Sequence, residues 1–280
     1  MRLRSLLFVP GDRPDRMDKA LASGADALIL DLEDAVRPDA KPAARAAVAA
    51  FLAKARTVPL FVRINRLGTM TDEDLAAVVP HAPDGFVLPK AEGGSCVADL
   101  AARLTQHGNA DAKILPIATE TPKGVFALGS YGGVSARLCG VTWGAEDLPA
   151  AIGAVTSRLP DGGFTPPYET VRSLTLFGAH AAGVAAIETV YPTIRDEAGL
   201  SAYAARGRRD GFSGMLAIHP TQVPVINAAF TPSQAEIDWA RKVADAFAHN
   251  PAAGAILLDD KMLDAPHLKQ AQTILARDGL

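Results

Sequence analysis

The sequence predicts an α/β fold, a closed (β/α)8 TIM barrel followed by a C-terminal helical arm. Short β-branched runs alternate with alanine-rich stretches of helical spacing, the alternation that builds parallel sheets. Eight such runs occur, which matches the strand number of a closed barrel. The residues directly after the runs are rich in charge, and in such barrels the C-terminal strand ends carry the active site.

The runs, in order, are Ser5 to Val9, Ala27 to Asp31, Leu60 to Ile64, Gly85 to Leu88, Ile114 to Ala118, Arg137 to Thr142, Ala185 to Val190 and Gly214 to Ile218. Nearly all are continuously apolar, as strands buried on both faces must be. A doubly wound open sheet is the competing topology. It is disfavoured because the turn after the first run, VPGDRPDR, lacks the glycine spacing of a dinucleotide-binding loop. Glycines and prolines from Gly153 to Pro167 mark a longer loop after the sixth strand, a candidate lid. Beyond Asn250-Pro251, the segment GAILLDDKMLDAPHLKQAQTIL reads as a short strand or turn and then a helix. The domain reading is a catalytic barrel over 1–250 and a C-terminal arm over 251–280.

A chain of 280 residues that is 49% hydrophobic can bury one large core. A net charge of -3 and a pI near 6.1 provide no basic stripe for nucleic acid. Cys96 and Cys139 are too few for a disulfide framework or a four-cysteine zinc site, which points to the cytoplasm. Pro10-Gly11 ends the N-terminal apolar run too early for a signal peptide, and no run of eighteen apolar residues predicts a membrane span.

Glu120 follows the fifth run and Asp147 the sixth, so two carboxylates top neighbouring strands. This pattern suits one hard divalent ion, Mg2+ or alternatively Mn2+, which takes oxygen ligands and keeps several waters. The competing reading is that each caps the following helix, and Glu146 is a rival ligand in the same turn. Arg63 closes the third strand, where a guanidinium could grip a carboxylate or an enolate oxygen. Asp31, Glu33 and Asp34 top the second strand and could either orient Arg63 and metal-bound water or cap a helix. Arg13, Arg16 and Lys19 cluster at the start of the helix after strand one, either as a phosphate site or as a solvated face paired with Asp15 and Asp18. His219, before Pro220, reads as a structural strand-end residue. Asp264, before the final helix, reads as a cap.

These motifs resemble the citrate lyase β-subunit-like branch of the HpcH/HpaI aldolase superfamily. The chain carries RSLLFVPGDRP, LILDLEDAV, VRINRLGT, VLPKAE, IATETPKG, WGAEDLPAAIG, AIHPTQV and KMLDAPHLKQAQ in that order, nearly from end to end. The resemblance implies that Glu120 and Asp147 bind magnesium, Arg63 grips substrate and the Arg13 to Lys19 region holds coenzyme A phosphates. It further implies that Asp264 is an acid/base acting on a neighbouring subunit of a trimer or hexamer. Two departures stand out: Asp260 where many relatives have glycine, and Thr193 where some have aspartate. The implied reaction is magnesium-dependent cleavage, or formation, of a short 3-hydroxyacyl-CoA such as citramalyl-CoA, malyl-CoA or citryl-CoA into a 2-oxo acid and acetyl-CoA, and the form here looks most like the bacterial citramalyl-CoA lyases. A citryl-ACP lyase subunit, a thioester hydrolase and a non-catalytic CoA-binding protein are the alternatives.

Overall fold

A strand whose every side chain is apolar has no face to give to water, so it must be covered on both sides. The computed structural model, which describes residues 1–54, 56–160, 162–251 and 253–278, places such strands in one parallel ring. They are β1 Ser5–Pro10, β2 Ala27–Asp31, β3 Leu60–Arg63, β4 Gly85–Leu88, β5 Lys113–Pro116, β6 Gly140–Thr142, β7 Ala185–Glu188 and β8 Gly214–Ala217. Their spatial order is β5-β4-β3-β2-β1-β8-β7-β6, with Phe8 opposite Ile29 and Ile29 opposite Phe61. Main-chain bonds across the remaining gap nearly close the barrel: the Ile114 N–H donates to the Arg137 carbonyl at 2.9 Å and the Ala118 N–H to the Thr142 carbonyl at 2.9 Å.

Between and after the strands run α1 Pro14–Ala20, α2 Lys41–Leu52, α3 Thr71–Val78, α4 Gly94–Gln106, α5 Pro122–Phe126, α6 Asp147–Ile152, α7 Pro166–Ala181, α8 Glu197–Asp210 and α9 Gln222–Ala229. Inside the ring Leu6, Ile29, Phe61, Val87, Leu115 and Leu216 form the core. Burying each such side chain contributes roughly 2 kcal/mol. Gly85 is required there, because a Cβ at that position would collide with the ring of Phe61.

Several observed strands stop one or two residues short of the predicted runs. The residues beyond them turn toward side chains at the mouth. At β7 the Thr189 N–H donates to Glu188 Oε1 at 3.0 Å instead of extending the ladder. Glu188 is fully buried and saturated: Arg172 Nε donates to it at 2.7 Å, Trp143 Nε1 at 2.6 Å and the Tyr203 hydroxyl at 2.7 Å. A buried charge is tolerated only with such compensation. Its effect here is to hold the Trp143 indole in one orientation. The loop over 153–167 carries an antiparallel bridge between Arg158 and Phe164, with the guanidinium 4.3 Å from the ring centroid. Asp161 of this loop lies outside the described residues.

The chain divides into two compact units, Leu3–Asn227 and Met1–Arg2 with Ala228–Leu280. In the second, α10 Gln234–His249 starts on a capping box of Ser233 and Glu236, and a hairpin of β9 Ala255–Leu258 and β10 Lys261–Asp264 leads into α11 Ala265–Asp278. Ala240, Val243, Leu263 and Ala271 form its core. Asp259 and Asp260 make the hairpin turn at φ of 48° and 60°. Two consecutive left-handed residues define the two-residue turn that matches strand twist, and aspartate tolerates that conformation. Asp260 therefore adopts the backbone that glycine takes freely. Among the described residues no helix is long and apolar enough to cross a membrane.

Candidate functional site

The C-terminal ends of the strands enclose a cavity of about 320 Å³ within the barrel unit. Phe8, Arg63, Glu120, Trp143, Asp147 and Ile218 are among its walls, contributed by the ends of β1, β3, β5, β6 and β8 or the turns that follow them. Sequence positions 57 residues apart, Arg63 and Glu120, thus face one space. A second cavity of about 480 Å³ is lined by Arg13, Arg16, Lys19 and His219, and it shares Phe8, Pro10, Arg16 and Ile218 with the first. His219 Nδ1 lies 2.8 Å from the Thr221 hydroxyl. Arg13 is half exposed and pairs with Asp15 at 3.2 Å.

Arg63 is held on three sides. Its Nε and Nη2 donate to the two oxygens of Asp31 at 2.8 and 2.5 Å, and its plane lies 4.8 Å from the Phe8 ring centroid. Nη1 lies 3.0 Å from Glu33 Oε2 and 3.6 Å from Asp34, an ion pairing with Glu33 that lacks hydrogen-bond alignment. A bidentate fork to one carboxylate leaves a guanidinium little freedom. Burial works against the charge on Arg63, but the carboxylates of Asp31, Glu33 and Asp34 together outweigh it and hold the pKa above its ordinary value.

The loop bearing Glu33 is anchored from beneath. Lys41, buried, donates from Nζ to the carbonyls of Leu32 and Glu33 at 2.8 and 2.9 Å and to Asn65 Oδ1 at 2.6 Å. Asn65 donates in turn to Asp74, which Arg45 Nε meets at 2.7 Å. This network ties the end of β2 to the end of β3. Nothing in the run DAVRPDAKPAAR announces that its lysine points inward, since lysine is normally a solvated residue.

Neither helix next to Glu120 and Asp147 takes its cap from them. α5 is capped by the Thr121 hydroxyl, which accepts from the Gly124 N–H at 3.1 Å, and α6 has no side-chain cap bond. Glu146 sits at the N-cap position of α6, 3.8 Å from Arg158. Glu120 is buried, and a Cβ at Gly144 would lie 2.7 Å from its Cγ, so only glycine there leaves the carboxylate its place. Desolvation pushes the Glu120 carboxyl up to about 8; the Lys90 amide opposes the rise, while the carboxylates of Glu33 and Asp147 add to it. Glu33 is raised chiefly by burial as well.

Lys90, to which its sequence context assigns no role, stands at the centre of this cluster. Its N–H donates to Glu120 Oε2 at 2.5 Å and its Nζ to Glu33 Oε1 at 2.5 Å, with Asp147 3.8 Å away. Its φ of 50° lies in the left-handed region. The VLPK motif contains it, but a lysine after a proline carries no signal of its own chemistry.

Asp31, Glu33, Asp34, Glu120 and Asp147 outnumber Arg63 and Lys90, so the cluster carries excess negative charge beside the cavity. A hard divalent cation fits that donor set: it would take carboxylate oxygens from Glu120 and Asp147 and offset the repulsion that adds to the effect of burial on Glu120. Among the described residues no cluster of three or more histidine, cysteine or acidic side chains is arranged to hold a metal. A pair that leaves further positions to water and substrate oxygens accords with magnesium's habit. Asp264 belongs to the other compact unit, where its Oδ1 lies 2.6 Å from His267 Nδ1.

Residues 4–220 match the family described as HpcH/HpaI aldolase/citrate lyase. The chain is 39% identical over 279 residues, 98% of its length and 94% of the relative's, to a citrate lyase subunit beta-like protein of Mycobacterium tuberculosis. It is 32% identical over 281 residues, 98% and 94% of the two chains, to a (3S)-malyl-CoA thioesterase of Cereibacter sphaeroides. A solved structure of M. tuberculosis CitE in complex with magnesium, acetoacetate and coenzyme A superposes with a TM-score of 0.82 at 35% identity, covering 100% of this chain and 99% of that one.

The raised Glu120 carboxyl has a stability consequence. The group ionises near 4.5 when unfolded but only at about 8 in the fold, so the folded state holds an extra proton between these values. Its contribution is fully present below the unfolded value and is lost as pH rises through the folded one. In EDTA, Tm is expected to fall between about pH 6 and about pH 8.5, and Glu120→Gln to make that decline shallower. Thermal unfolding across the range checks this, and an unaltered slope in the variant would assign the titration to another group.

Proposed function

This chain belongs to the HpcH/HpaI aldolase/citrate lyase family, and from that premise we propose that it is a magnesium-dependent lyase of a short 3-hydroxyacyl-CoA, malyl-CoA or citramalyl-CoA in type. The observation that carries the reading is the pairing of two adjoining cavities of opposite character. One is lined by Glu120, Asp147 and Arg63, the other by Arg13, Arg16 and Lys19. A substrate with a chelating hydroxy acid at one end and phosphates at the other would satisfy both.

Glu120 and Asp147 would hold magnesium, which when bound supplies Lewis-acid stabilisation to the substrate's carboxylate and hydroxyl oxygens. Arg63, already oriented by Asp31 and lining the cavity, would offset charge that develops on the thioester oxygen as the carbon–carbon bond breaks. A donor aimed in this way typically contributes about 3 to 4 kcal/mol, because no reorganisation is needed at the moment of reaction. Trp143, fixed by Glu188, gives the cavity an apolar wall that excludes water and strengthens those interactions. Asp264 is the proposed proton carrier to the enolate carbon, on the strength of its M-x-D-x-P motif, and would act on a neighbouring copy in a homo-oligomer.

The similarity to a malyl-CoA thioesterase supports hydrolysis as a second reading, since the same carboxylates could serve water attack on the thioester. Incubation of the purified protein and MgCl2 with malyl-CoA, citramalyl-CoA and citryl-CoA separates the two. A 2-oxo acid released with acetyl-CoA marks a lyase, and free CoA without oxo acid a hydrolase. Glu120→Ala and Asp147→Ala should abolish either activity with the fold intact, and the absence of turnover by the wild type under every condition of the panel would remove this reading. For the cationic cavity, neutralising Arg13 and Lys19 together should raise KM for the thioester far more than it lowers kcat. An unchanged KM would place the CoA phosphates elsewhere. For Asp264, mixing inactive Asp264→Asn with inactive Glu120→Ala under subunit exchange should restore activity, whereas an exchanging mixture that stays inactive confines Asp264 to its own chain or to no role.

A further inference from the structure

Lys90 joins two parts of the site. Its backbone N–H fixes one oxygen of Glu120, and its ammonium donates to Glu33 Oε1. The other oxygen of Glu33 faces Arg63 Nη1 at 3.0 Å without hydrogen-bond alignment. Among the described residues, therefore, Lys90 supplies the aligned hydrogen bond that orients the Glu33 side chain. The line from Glu120 through Lys90 and Glu33 to Arg63 crosses from the end of β5 to the ends of β4, β2 and β3.

The backbone carries a second sign of purpose. Lys90 sits in the turn after β4 at a left-handed φ, and a non-glycine residue held there costs about 1 to 2 kcal/mol. What the conformation achieves is visible: it aims the amide at Glu120 while the side chain reaches back over Glu33. An extended residue at this position could not be expected to aim both groups into the cluster.

We infer that Lys90 is a positioning residue that couples the carboxylate Glu120 to the arginine Arg63, its amide acting on the first and its ammonium, through Glu33, on the second. The inference rests on the reading of Glu120 and Asp147 as metal ligands and of Arg63 as the donor to developing charge. With the ammonium in place, Glu33 is held turned toward Nη1 and so helps to fix the guanidinium that lines the cavity. Without it, Glu33 is a buried carboxylate short of a partner, free to rotate or to take up a proton.

The two arms can be separated because glycine keeps the amide and accepts positive φ without strain, while it deletes the ammonium. The full-length protein, Lys90→Gly, Glu33→Gln and the double variant are compared in Mn2+ affinity by calorimetry, in Tm, and in kcat and KM for the thioester turned over in the panel above. Lys90→Gly is expected to keep Mn2+ affinity within about threefold of wild type and KM within about threefold, while kcat falls about tenfold or more. Glu33→Gln should lower kcat by a similar factor, and the double variant should lose no more than the worse single one, because both act through one ion pair. Wild-type kcat in Lys90→Gly, losses that multiply in the double variant, or a loss of Mn2+ affinity that matches the loss of kcat each overturn the inference. Glu120→Gln tests the underlying reading separately. If it binds Mn2+ as tightly as wild type, the ligand assignment fails and the Lys90 inference with it. If Glu120→Gln loses Mn2+ while Lys90→Gly keeps kcat, only the Lys90 inference fails.

Discussion

A carboxylate removed from water must face a positive charge or keep its proton, and the mouth of this barrel gathers Asp31, Glu33, Asp34, Glu120 and Asp147 against Arg63 and Lys90. Most local features answer to that imbalance. Asp31 spends both oxygens on Arg63, so this part of the cluster is settled. Glu120 receives a single amide hydrogen bond and has the strongest upward pull on its carboxyl among the acids of the cavity. The unspent negative charge lies beside the cavity, which is where a cation would be useful.

Rigidity around that charge comes from groups with little exposed surface to offer. Lys41 pins the carbonyls of Leu32 and Glu33, Asp74 gathers Asn65 and Arg45, and Glu188 immobilises Trp143. Buried polar networks of this kind add little net stability, but they help to specify one arrangement. A site that must present an arginine edge and a carboxylate oxygen at fixed positions gains from that uniqueness more than from extra stability.

The two cavities differ in charge. The acidic one is walled by Trp143 and Ile117 on its apolar side, whereas the cationic one opens along the start of α1. Phe8, Pro10, Arg16 and Ile218 border both, so the two cavities adjoin.

The alternation of apolar runs with alanine-rich helices was enough to determine eight parallel strands and their order along the chain, because burial on both faces leaves a signature in every residue of a strand. The same logic nominates Arg63, Glu120 and Asp147, as charged residues at strand ends must face the mouth, and they line one cavity. Local sequence could not decide between capping and exposure to the cavity for these acids; Thr121 capping α5 and the absence of a side-chain cap on α6 decided it. Nor could it show that Asp31 belongs to Arg63, that Lys41 turns inward, or that Lys90 takes a left-handed backbone to meet Glu120 and Glu33. Those facts depend on distances between residues from 8 to 57 positions apart, set by how neighbouring strands lie in the ring. Periodicity is a property of one element and can be read along the chain, whereas charge pairing is a property of several elements at once and exists only after they are packed.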